Sequence, residues 1–171
     1  MSEPPQSAVP RVIEVDVVED DGNWSALSDA QTLIEQAAAA VANELGSGAG
    51  SGVVAVALSS DASVEVLNGQ FRGKPKPTNV LSFPAGEGVP DGFIGDVILA
   101  AETVRREADE QGVPLAHHVQ HLVVHGILHL LGYDHISAAD AERMEAIEIS
   151  ILSKLGVANP YTGALETGTN G

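Results

Sequence analysis

The chain has 171 residues, with 8 Lys and Arg against 24 Asp and Glu, a formal net charge of −16, and no cysteine. That balance excludes a diffuse basic coat for nucleic acid, and the lack of thiols excludes disulfides, thiolate zinc sites and cysteine nucleophiles, leaving His and carboxylate as the strong metal ligands. Hydrophobic residues make up 44%, no apolar run reaches the roughly 18–20 residues of a membrane span, and the length suits one soluble domain with one core.

Residues 1–10, with three prolines and neither a basic start nor an apolar stretch, do not read as a secretory signal, so a cytoplasmic location is expected. They are expected to form a disordered tail and 156–171 a flexible one, which leaves a single domain over 11–155. Val12-Ile-Glu-Val-Asp-Val-Val18 alternates at period two and predicts a strand with one buried face. Ser28 followed by Gln31 has capping-box spacing, and Leu33, Ile34, Ala37, Val41 and Leu45 then repeat at helical intervals up to Gly46. Four glycines in 46–52 predict a flexible loop entering the buried strand 53–58. Ser60-Asp61 caps a short helix ending near Asn68-Gly69, and the Gly- and Pro-containing stretch 71–77 is expected to be irregular. Residues 79–83 and 93–99 read as strands, and 101–110 as a helix stopped by Gly112. Pro114 opens a long helix running to Gly132, and Ser137 with Asp140 opens a last helix reaching Gly156. This order indicates an α+β or mixed α/β fold, a small sheet carrying helices.

All six histidines, at 117, 118, 121, 125, 129 and 135, fall in one nineteen-residue window. On a helix, His118, His121, His125 and His129 share one narrow stripe, and imidazoles four apart, His125 and His129, can bind one metal ion. Gly132 can take the left-handed conformation that ends the helix and returns Asp134 and His135 toward the pair. Three imidazoles without cysteine leave a coordination position for water, as in catalytic zinc sites, although Asp134 or His121 could close it and make the site structural. In helical zinc peptidases a Glu follows the first histidine and serves as base; here Gly126 stands there, so a peptidase reading has no base. A Lewis acid suited to attack on a phosphodiester remains.

Arg72, Lys74 and Lys76, three of the eight basic residues, fall within five positions. They read either as a local cleft for a polyanion backbone or as a solvated loop, with the Arg72 guanidinium best suited to grip phosphate and stabilise transition-state charge. Asp96, after Gly95 in an apolar strand, reads as a carboxylate orienting a histidine or as a turn cap, and His118 and His121 as packing or hydrogen-bonding groups beside the site.

Leu67-Asn-Gly-Gln-Phe-Arg72-Gly-Lys-Pro-Lys-Pro-Thr-Asn-Val-Leu-Ser-Phe-Pro84, Ile94-Gly-Asp-Val-Ile98 and His121-Leu-Val-Val-His125-Gly-Ile-Leu-His129-Leu-Leu-Gly-Tyr-Asp-His135 together resemble the YbeY family of rRNA maturation factors, zinc-dependent endoribonucleases. The resemblance implies an α+β fold with a small mixed four-stranded sheet packed with about five helices and a zinc site at the end of a long central helix. It further implies one Zn2+ held by His125, His129 and His135, a functional Arg72, and single-stranded rRNA as substrate, notably at the small-subunit rRNA 3′ end, with ribosomal partners. Asn79 stands where many members carry Asp, so no carboxylate role carries over to it. Two other readings compete: a ribosome-assembly binding factor with a structural zinc, and amide hydrolysis at the same metal, which would need a carboxylate such as Asp96 near its water.

Overall fold

Alternating and β-branched runs build a sheet whose one face is wrapped by the apolar stripes of the helices. The computed structural model describes residues 12–46, 52–73, 78–86, 92–133 and 137–161. Within them the order is β1 (Ile13–Glu19), α1 (Ala30–Leu45), β2 (Gly52–Ser59), α2 (Asp61–Arg72), β3 (Val80–Pro84), β4 (Phe93–Ala100), α3 (Ala101–Gln111), α4 (Leu115–Leu130) and α5 (Ala138–Lys154). The strands form one mixed sheet in the order β1-β2-β4-β3; β1, β2 and β4 are parallel, and β3 runs antiparallel to β4 at the edge. The expected α+β architecture with a small mixed sheet is what the chain adopts.

The pleat divides the sheet cleanly. Val54, Val56 and Leu58 of β2 and Val97 and Leu99 of β4 are fully buried on one face, where they pack with Ile34, Ala37 and Val41 of α1, Val123 and Ile127 of α4, and Ile151 and Leu152 of α5. On the opposite face α2 covers the β3–β4 half, where Val64 and Leu67 join Leu81, Phe83 and Ile98 in a second, smaller cluster. Across the β3–β4 ladder Ser82 lies opposite Val97 and Phe83 opposite Asp96, so β3 shows Ser82 to α4 and Phe83 to the α2 side.

Two of the caps form as the sequence indicates: Ser60 accepts from the Ser63 N–H at the start of α2, and Ser137 from the Asp140 N–H at the start of α5. Two local expectations fail. Ser28 and Gln31 make no capping box; α1 begins after Asp29, a non-glycine residue at φ 51°, with no side-chain cap, and the Gln31 amide donates to Glu35 and to the Val15 carbonyl instead. The helix expected to end near Gly69 runs on to Arg72, because it is Gly73, at φ 69°, that supplies the left-handed turn and donates back to Asn68 and Gly69. The part of the glycine-rich loop at 47–51 lies outside the described residues.

Candidate functional site

Helix α4 positions the site. Its first turn is closed by the Pro114 carbonyl, which accepts from the His117 and His118 N–H groups, and its stripe of Val119, Val123 and Ile127 is buried. Gly126 lies against the sheet: a Cβ there would meet the Val97 methyls at 3.0 and 3.1 Å and Ser82 Oγ at 3.1 Å. Glycine thus allows α4 to approach β3, and the position that carries the base in helical peptidases faces the sheet. His121 and His125 face Glu148 of α5, while His118 faces Glu107 of α3.

His125 and His129 turn their Nε2 atoms toward each other at 3.1 Å. Two imidazole nitrogens bound to one tetrahedral zinc at ~2.0–2.1 Å would stand about 3.3 Å apart, so this pair fits an ion between them. His125 is fixed from behind: its Nδ1–H donates to Glu148 Oε2 of α5 at 2.5 Å. The carboxylate thereby selects the tautomer whose Nε2 lone pair points at the shared position. Glu148 is fully buried, which by itself would raise its pKa; the nearby His121 and the hydrogen bonds from His125 and Tyr161 outweigh burial and hold it down at about 2. His121 Nε2 sits 3.7 Å from Glu148 Oε1, and its Nδ1 is buried with no hydrogen-bond partner among the described residues.

Tyr161 completes this wall. Its hydroxyl donates to Glu148 Oε1, its ring meets His121 edge-on at 5.9 Å, and burial, then the hydrogen bond to Glu148 and its charge, push its own pKa up, keeping it a donor. The segment expected to be a loose tail from 156 therefore holds structure through 161, with Val157 buried as well; residues 162–171 lie outside the described residues.

At the end of α4, Gly132 has φ 106° and donates to the His129 carbonyl while Tyr133 donates to that of Leu128, so the helix ends on the positive-φ glycine expected there. Asp134 and His135, the third predicted imidazole, lie outside the described residues, as do Lys74 and Lys76. Among the described residues no group of three His, Asp or Glu side chains is arranged to hold a metal ion. Arg72 is the last residue of α2, across β3 from α4.

Asp96 is not brought to the histidines. Its ladder partners are Ala55 and Phe83, it faces away from the core-facing Gly95 and Val97, and burial pushes its pKa up. The carboxylate on a site histidine is Glu148, and a second one serves His118: Glu107 Oε1 accepts from His118 Nε2 at 2.8 Å and from Asn79 Nδ2 at 3.0 Å. Burial lowers the His118 pKa against the pull of Glu107.

Sequence reasoning missed Glu148 and Tyr161. A signal for Glu148 was present: Met144, Glu148, Ile151 and Leu152 repeat at core spacing, and an acid in an apolar stripe requires a buried partner. Tyr161 follows Asn159-Pro160 in a stretch without periodicity and gave no such sign.

Compared with known proteins, residues 18–156 match the family model described as Endoribonuclease YbeY. A Bradyrhizobium sp. protein of that name is 46% identical over 164 residues, covering 92% of this chain and 95% of the relative. One from Maricaulis maris is 48% identical over 147 residues, covering 86% and 91%. A solution structure from Thermotoga maritima superposes with a TM-score of 0.51 at 28% identity, covering 84% of this chain and 91% of that one.

Proposed function

The chain belongs to the endoribonuclease YbeY family, and from that premise we propose that it is a metal-dependent endoribonuclease for single-stranded rRNA. Its role would be maturation of the small-subunit rRNA 3′ end and ribosome quality control in the cytoplasm, with ribosomal proteins as partners. The observation that carries the reading is the His125–His129 pair, with Nε2 atoms 3.1 Å apart and His125 braced by Glu148. One zinc ion is the proposed cofactor, held by these two residues and His135. When bound it would supply Lewis-acid polarisation of the phosphate and a hydroxide source near neutral pH.

The remaining work falls to the chain itself. Glu148 holds the Nδ1 proton of His125 and so keeps the ring oriented, and Tyr161 ties down the other oxygen of that carboxylate. Arg72 is proposed to stabilise the charge that builds on the phosphate, and Lys74 and Lys76 to hold the flanking backbone. At a net charge of −16 the protein repels RNA at a distance, so binding depends on this local basic stretch and weakens steeply with salt.

The test is to incubate single-stranded rRNA with zinc-loaded protein, metal-free protein and Arg72→Ala, following the folded fraction of each by circular dichroism. Cleavage by the zinc form alone, with all three folded, is the expected result. If none of them cuts while the metal-free protein only melts earlier, zinc is structural and a ribosome-assembly factor is the better description.

A further inference from the structure

The edge strand β3 carries an aromatic feature that the proposed chemistry does not use. Phe71, next to last in α2, is 66% exposed, more than any other large apolar side chain among the described residues. Its ring meets Phe83 of β3 with centroids 5.5 Å apart and planes at 64°, an edge contact. In an edge-to-face pair at least one face of the exposed ring stays open. A single exposed hydrophobe needs no explanation; this one is anchored on a second aromatic and is followed directly by Arg72, Lys74 and Lys76. In the sequence, three of the eight basic residues of a strongly acidic chain thus follow this ring within five positions.

We infer that Phe71, seated on Phe83, is the stacking residue for an unpaired nucleobase of the RNA and positions the strand as it crosses the β3 edge. The inference deepens the proposed function and rests on it for the identity of the ligand. The register supports the path: Ser82 contacts the Gly126 carbonyl of α4, beside His125, while the next residue, Phe83, contacts Phe71 on the other face. One edge strand therefore separates the stacking ring from the histidine pair. Stacking on an exposed ring is tolerant of sequence, because every base has a π-face. It is also open only to bases not already stacked in a duplex, which makes Phe71 a selector for single strands.

The test compares zinc-loaded full-length protein, Phe71→Leu and Phe71→Trp, using a labelled unpaired RNA oligomer, the same oligomer with abasic sites, and its duplex, in binding and cleavage assays. Phe71→Leu is expected to weaken binding of the intact single strand by about tenfold or more, raising KM with little change in kcat, and Phe71→Trp to restore it. Abasic RNA is expected to bind the natural protein and Phe71→Leu equally. Unchanged single-strand affinity in Phe71→Leu, or an equal loss with abasic RNA, would overturn the inference. The two readings fail separately: cleavage that does not depend on Phe71 removes only the stacking residue, whereas Phe71-dependent binding without cleavage removes only the nuclease.

Discussion

The two sides of edge strand β3 are built on opposite principles. On the α4–α5 side every group near His125 is held by another: Glu148 has no exposed surface, and His125, His121 and Tyr161 all converge on its carboxylate. On the α2 side the contact with the sheet is a small cluster around Val64 and Leu81, and the helix ends on an exposed phenylalanine and an arginine. Fixed donors suit bond cleavage, which needs groups placed within a fraction of an ångström. A polymer with many conformations is better met by exposed rings and charges that accept any sequence.

Breaking the buried side should have the largest effect. Glu148→Gln keeps the shape but removes the anionic acceptor of His125, and zinc affinity measured by chelator competition is expected to fall about 10- to 100-fold; an unchanged affinity would mean that α5 is only packing. Gly126→Ala tests the approach of α4 to β3. Because the new methyl meets Val97 and Ser82 at 3.0–3.1 Å, the denaturant midpoint should drop by the equivalent of about 1–3 kcal/mol.

The exposed side should respond more weakly and independently of metal. Ser60→Ala removes the acceptor for Ser63 N–H and the bond to Asp21, and is expected to lower stability by about 1 kcal/mol while zinc affinity stays as it was. The smallest effect concerns pH. The His118 pKa lies below its ordinary 6.5 in the folded protein because the ring is buried, so below that value the unfolded chain takes up the proton more readily. The stability it contributes is present above about pH 6.5 and is lost as the pH falls toward the folded value. His118→Gln should therefore flatten the dependence of the unfolding midpoint on pH between about 7 and 6.

What was legible in the sequence followed from local periodicity. The strands, the Ser60 and Ser137 caps, the i, i+4 histidines and the Gly132 turn each rest on residues a few positions apart, and the structure has all of them. Tertiary contacts decided the rest. Ser28 and Gln31 had capping spacing, yet Gln31 reaches the Val15 carbonyl of β1 instead. Asn68-Gly69 has the composition of a helix stop, yet α2 continues across it and ends at Gly73, whose N–H donates back to the Asn68 and Gly69 carbonyls. Glu148 lies 23 residues from His125 on another helix, and the face on which Asp96 sits follows from strand register, which an apolar run alone leaves undefined.

The central claim is that His125 and His129 hold the ion on which RNA cleavage depends, and zinc titration of metal-free protein and of His129→Ala tests it most directly, with zinc per chain and single-stranded RNA cleavage measured on the same samples. Cleavage by the natural chain should rise with occupancy and level off at one zinc per chain, while His129→Ala, still folded, should lose more than about a hundredfold in zinc affinity and in cleavage, beyond what loss of an outer partner produces. Equal cleavage with and without zinc, or full zinc binding and cleavage by His129→Ala, would contradict the account.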